Sequence, residues 1–186
     1  PPMWAHDGIA EGECMTYSVG FRSPKQDELA RELFLRLSDA PDECPKDVVY
    51  KDPKQTAVAH PGEIPAALLD FARQALEKAL AEPLALERAL GETLSDPKPG
   101  VWFEPADDFG LIENVRLNQR TRMLYDAQHI FINGESYLAA GRDAELMRQL
   151  ADTRQLSSAE VQQLSDDALQ LLSSWVDAGW AHSKAG

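Results

Sequence analysis

Polar and apolar residues alternate along positions 11–21. On an extended chain Met15, Tyr17, Val19 and Phe21 fall on one face, and Cys14, Thr16 and Ser18 on the other. The pattern predicts a strand whose small polar side chains suit a cavity wall better than a dry core. The period then lengthens. "SPKQDELARELFLRL" predicts a helix with Ser23 as N-cap, Pro24 in the first turn and Gln26 closing a capping box. Its apolar stripe is Leu29, Leu33, Phe34 and Leu37. Pro41, Pro45, Pro53 and Pro61 break residues 38–64 into loops. A second helix is predicted over 65–81, with Leu69, Ala72, Leu76 and Leu80 as its stripe, and a short third helix over 83–94. These Ala- and Leu-rich helices suit either the core of a monomer or the surface of a partner.

"SDPKPG" at 95–100 reads as the chain's clearest boundary. Beyond it, "VRLNQRTRMLY" and "HIFINGESYLA" are strand-like, and the second carries Asn133-Gly134 at the centre of a tight hairpin. Two more helices are expected, over 143–153 and 166–178. Ser165 caps the latter, Asp166 and Asp167 fill its first turn, and Gly179 ends it. Ser157 and Glu160 have capping-box spacing between them. Helices around a small hairpin within 96–186 suggest a winged-helix module.

Charge changes the picture first. Against 18 Lys and Arg stand 31 Asp and Glu, a net of −13. A field of that sign repels phosphate backbones and favours basic partners. Residues 96–186 alone hold 8 Lys and Arg against 14 Asp and Glu, a net of −6, so direct nucleic-acid binding is not expected of the winged helix. Arg116, Arg120 and Arg122 share strand parity with Asn118 and could form a basic stripe, although three arginines on an exposed strand face are more often merely solvated. No apolar run reaches the length of a membrane span. Cys14 and Cys44 are too few for a disulfide framework or a thiolate zinc site, and a reducing cytoplasm is the expected compartment.

The candidate chemistry lies in four histidines. His60 sits in a proline-flanked turn, His182 near the end of the sequence, and His129 at the start of a hairpin strand. None has a second His or a carboxylate at a recognised ligand spacing, so each reads as structural or solvated. His6 differs in its setting. Pro1 and Pro2 stiffen the approach to it, and Gly8 allows a tight turn before the polar-faced strand. Asp7 would point to the opposite face, which argues against it as co-ligand. A non-haem iron site needs two His and one carboxylate on one face. The compact source of the other two ligands, His-x-Asp or His-x-Glu, is absent from the sequence.

"PPMWAHDGIAEGECMTYSVGFRSP", followed in order by "HPGEIP" and "IFINGESY", resembles the JmjC/cupin-type ribosomal oxygenases over nearly the whole chain. The resemblance is to the members that hydroxylate an arginine of a large-subunit ribosomal protein. It implies an α+β architecture in three parts. Residues 1–23 would be the last strands of a double-stranded β-helix barrel, 24–95 a helical dimerisation segment, and 96–186 a winged helix. It implies Fe(II), with 2-oxoglutarate as cosubstrate and O2 consumed to give hydroxyarginine, succinate and CO2. His6 matches the third iron ligand. Thr16 matches a position near the cosubstrate where the family often has Asn, and Ser18 is the next inward residue. A basic ribosomal protein as substrate and a homodimer follow from the same resemblance. This polypeptide is then expected to be a C-terminal portion of the enzyme, unable to assemble the iron site alone. Two other classes stay open, a non-catalytic cupin-like scaffold and a winged-helix interaction module; a His-x-Asp upstream would decide for the oxygenase.

Overall fold

The computed structural model describes residues 9, 12, 13, 15, 23–38, 48–53, 56, 58, 60–105 and 112–183. Three helices come first: α1 (Gln26–Ser38), α2 (Ala66–Ala81) and α3 (Ala85–Ser95). The strands β1 (Val115–Leu117), β2 (Met123–Tyr125), β3 (His129–Ile132) and β4 (Glu135–Leu138) follow. The chain then forms α4 (Gly141–Thr153), β5 (Gln155–Leu156), α5 (Ser158–Val161), α6 (Asp166–Asp177) and β6 (Ala181–His182). The result is mixed α/β, with two three-stranded antiparallel sheets ordered β5-β1-β6 and β2-β3-β4.

The β3–β4 hairpin closes where the sequence places it. Ile132 pairs with Glu135, and the two turn residues take φ of 49° at Asn133 and 91° at Gly134. Two positive φ values in succession fit the right-handed twist of the flanking strands, which is why Asn-Gly suits this turn. The caps of the later helices also form as expected. Ser157 and Glu160 complete a reciprocal capping box at α5. The Ser165 hydroxyl accepts from the Ala168 N–H, and Asp143 in turn accepts from the Ser165 N–H at 3.0 Å and its hydroxyl at 2.6 Å. The core lies between the two sheets and α4 and α6, where Ile130, Ile132, Leu146, Leu150, Leu172 and Trp175 are fully buried.

Two expectations change. α1 begins at Gln26 rather than beside Ser23, and the Lys25 carbonyl accepts its first bond, from Leu29. The expected Ser23 cap therefore lies outside the first turn. The stretch 115–125 is two strands in two different sheets rather than one. Residues 118–121 form a turn, with the Thr121 N–H on the Asn118 carbonyl and the Arg120 N–H on the Asn118 side chain. Distant groups clasp that turn. Arg154 donates to the Asn118 and Thr121 carbonyls at 2.7 and 3.0 Å, Asn118 donates to the Gly179 carbonyl, and the Thr121 hydroxyl reaches the Trp180 carbonyl at 2.6 Å.

α3 packs directly on the β2-β3-β4 sheet, and the SDPKPG stretch begins inside that seam. Ser95 is fully buried and its hydroxyl accepts from the Gly134 N–H at 3.1 Å. Arg36 on α1 completes the tie, reaching the Asp96 carboxylate at 2.7 Å and the Gly134 carbonyl at 3.2 Å. The Asn-Gly turn is thus held from two helices at once. α2, in contrast, buries none of its residues: Leu69 is 57%, Leu76 56% and Leu80 50% exposed.

Candidate functional site

The three residues that the sequence marks for iron and cosubstrate, His6, Thr16 and Ser18, lie outside the described residues. So does most of the alternating stretch around them. Gly12, Glu13 and Met15 are described, and all three are exposed. Among the described residues no group of three or more His, Cys, Asp and Glu could hold a metal ion. By themselves, those residues do not fit an iron centre.

His60 and His182 are exposed. His129 is buried at the start of β3, with its Nδ1 atom 3.2 Å from the Asp126 carboxylate and its ring stacked on Phe131 at 5.4 Å. Burial works to raise the Asp126 carboxyl, but the N–H groups of His129 and Gln128 and the nearby imidazole outweigh it and hold the group below the usual carboxylate range. This imidazole and carboxylate close the β2–β3 connection, since the Asp126 N–H also donates to the His129 carbonyl. The pair is a turn lock.

A groove of about 940 Å³ runs along the outward face of the β5-β1-β6 sheet. Antiparallel pairing sets Arg116 opposite Gln155 on β5 and His182 on β6, so the three form one row across its floor. The basic stripe expected of Arg116, Arg120 and Arg122 does not form as one line. Arg116 and Arg120 both border the groove, whereas Arg122 turns away and donates to the Asp96 carbonyl at 2.6 Å. Arg120 lies over the Trp102 ring at 5.7 Å and donates to its carbonyl. Sequence reading missed the row because its members come from strands 115–117, 155–156 and 181–182, two of them only two residues long. The usable local signal was Asn118, a residue that favours turns over strand interiors.

Residues 74–182 match the family model described as a ROXA-like winged helix. This chain belongs to that family. The ROXA-like winged helix here takes in the end of α2, all of α3, both sheets and the helices α4, α5 and α6. Across 195 aligned positions the chain is 25% identical to the ribosomal protein uL16 3-hydroxylase of Escherichia coli (strain K12), covering 97% of this chain and 50% of that protein. Among solved structures, the X-ray structure of E. coli YcfD superposes with a TM-score of 0.66 at 19% identity, over 89% of this chain and 46% of that one. The structure of YcfD, a ribosomal oxygenase, in complex with cobalt and succinic acid gives 0.65 at 21% identity, over 90% and 48%. The chain thus spans about half the length of the relatives it matches. No helix among the described residues is long and apolar enough to cross a membrane.

Proposed function

We propose that this chain is part of an Fe(II)- and 2-oxoglutarate-dependent oxygenase that hydroxylates an arginine of a large-subunit ribosomal protein in the cytoplasm. What carries the reading is the 97% coverage of this chain by its match to the uL16 3-hydroxylase, together with the stretch "PPMWAHDG". The solved YcfD complexes with cobalt and either succinic acid or 2-oxoglutarate support the same class of metal and cosubstrate. On this reading residues 1–23 end the catalytic barrel, 24–95 supply the dimerisation helices and 96–186 hold the rest of the winged helix, whose family match already begins at residue 74 and so shares α3 and the end of α2 with the helical segment. His6 supplies one imidazole to the metal, and the remaining ligands come from outside these 186 residues. Bound there, the metal and cosubstrate supply the oxidising chemistry. Thr16 and Ser18 line the cosubstrate side. The net charge of −13 favours a basic ribosomal protein as substrate and disfavours nucleic acid.

The test is mass spectrometry on an arginine-containing peptide of the ribosomal substrate, incubated with the full-length protein, Fe(II), 2-oxoglutarate and O2. A single added oxygen on arginine that depends on 2-oxoglutarate supports the reading. An unmodified peptide under those conditions favours the scaffold. Thr16→Val keeps the shape of the side chain and removes its hydroxyl. It should weaken cosubstrate binding by about 1 kcal/mol, the worth of one neutral hydrogen bond, read as a rise in the apparent 2-oxoglutarate constant with maximal turnover little changed.

The exposed leucines of α2 support the dimer. Three apolar side chains at least half exposed on one helix are more than a connector needs, and each is worth about 1.5–3 kcal/mol on full burial. Leu69→Glu together with Leu76→Glu should therefore shift a micromolar sample from dimer to monomer in light scattering. A wild-type monomer at that concentration, or an intact dimer from the double variant, would count against the assignment.

A further inference from the structure

The groove on the β5-β1-β6 sheet has a chemistry that the oxygenase reading does not use. Val115, Leu117, Leu156 and Ala181 point into the core and are buried. The pleat therefore turns Arg116, Gln155 and His182 outward, and all three are exposed. The last turns of α4 add Gln149 and Thr153 to one wall, and the start of α5 adds Ser157 and Glu160. Amides and hydroxyls dominate, with two guanidinium groups and one carboxylate among them.

That carboxylate is already engaged. One Glu160 oxygen accepts from the Ser157 N–H and hydroxyl, each at 2.7 Å, and the other accepts from Gln149. The Ser157 N–H, its hydroxyl and Gln149 together hold the Glu160 carboxyl below the usual range. Arg120 is engaged too, stacked on Trp102. In a chain with 31 acidic and 18 basic residues, this groove is lined by two guanidinium groups against one carboxylate, and Arg116 has no ion-pair partner among the described residues.

We propose that this groove docks an extended acidic segment of a partner polypeptide, with Arg116 as its anchor. A glutamine side chain carries the same donor and acceptor as a peptide backbone, so Gln155, directly opposite Arg116, can pair with an extended main chain laid along the row. Arg116 takes a carboxylate in two-pronged geometry. Nucleic acid fits less well, because two guanidinium groups in a domain with a net of −6 cannot neutralise a run of phosphates. The partner is chemically opposite to a basic ribosomal substrate, and the assignment stands apart from the oxygenase reading.

The experiment uses the full chain and a fluorescein-labelled decapeptide alternating Ser and Glu, followed by anisotropy and by amide chemical shifts. The expected result is saturable binding that weakens with salt, with shifts centred on Arg116, Gln155 and His182. Arg116→Glu should weaken it by about tenfold or more, since a charge-assisted bond is replaced by repulsion, and Arg116→Gln by a smaller factor. Arg73→Glu makes the same charge change on α2, where Arg73 and its partner Asp70 are both exposed, and should leave binding unchanged. Thermal melts confirm that each variant is folded. Absent or non-saturable binding, equal loss in Arg73→Glu, full retention in Arg116→Glu, or tighter binding of a ten-nucleotide RNA at the same residues would each overturn the proposal.

Discussion

Gly91→Ala is expected to destabilise the winged helix by about 2 kcal/mol, against the sign that helix propensity gives. Gly91 lies inside α3, where alanine would ordinarily be favoured by close to 1 kcal/mol. The obstacle is the ring of Phe131. A Cβ added at Gly91 would fall within the van der Waals envelope of three ring carbons. That ring cannot swing clear, because Phe131 is 2% exposed in the central strand of its sheet and stacked on the buried His129. Overpacking of this kind costs about 1–3 kcal/mol, which exceeds the propensity gain. Urea unfolding at unchanged m-value reads the difference. Phe131→Leu opens the space, so in that background Gly91→Ala should become neutral or stabilising. A stabilising Gly91→Ala in the wild-type chain would show that α3 does not rest on this ring.

Features closed by neighbouring residues were legible in the sequence. The Asn133-Gly134 turn, the Ser157–Glu160 capping box, the Ser165 cap and the Gly179 terminator each depend on positions within a few residues, and each forms. The break at 118–121 was hidden for the opposite reason. Polar residues at 116, 118, 120 and 122 keep a period of two straight through it, and the bonds that fold the turn come from Arg154, Gly179 and Trp180. Period alone cannot register partners more than thirty residues away. Nor could composition show that Gly91 is a seat for an aromatic ring, or that SDPKPG starts within a packed seam. A run of turn-forming residues marks where the chain bends, while packing is set by what the flanking residues touch. Ser95 illustrates it, buried and bonded across to the hairpin turn.

The candidate site divides in the same way. His129 was legible as structural, since no ligand spacing surrounds it, and its buried pairing with Asp126 agrees. The Arg116 row was invisible because three separate strands build it. His6, Thr16 and Ser18 rest on the resemblance of one quoted stretch and on the chemistry of a three-ligand iron site.

The largest effect on activity is expected at His6. On the proposed reading it is one of three protein ligands, and it must be neutral to bind, with its second ring nitrogen hydrogen-bonded to fix the tautomer. Substituting a residue that merely supports a ligand costs about 10–100-fold in metal affinity or activity, so removing a ligand outright should cost at least that. His6→Ala in the full-length protein is expected to abolish arginine hydroxylation and to raise the Fe(II) concentration needed for any residual turnover by about a hundredfold or more. The fold should be kept, since the winged helix draws its core from residues 115–181. His60→Ala and His182→Ala change exposed imidazoles and should leave turnover nearly unchanged. His129→Ala removes a buried ring and its bond to Asp126. It should lower the unfolding midpoint while turnover per folded molecule is kept. The pattern across the four variants separates a metal ligand from a structural imidazole, because a ligand's loss appears in metal dependence and a structural one's loss in stability. Full hydroxylation by the His6 variant at ordinary iron concentration would end the metal assignment of this stretch.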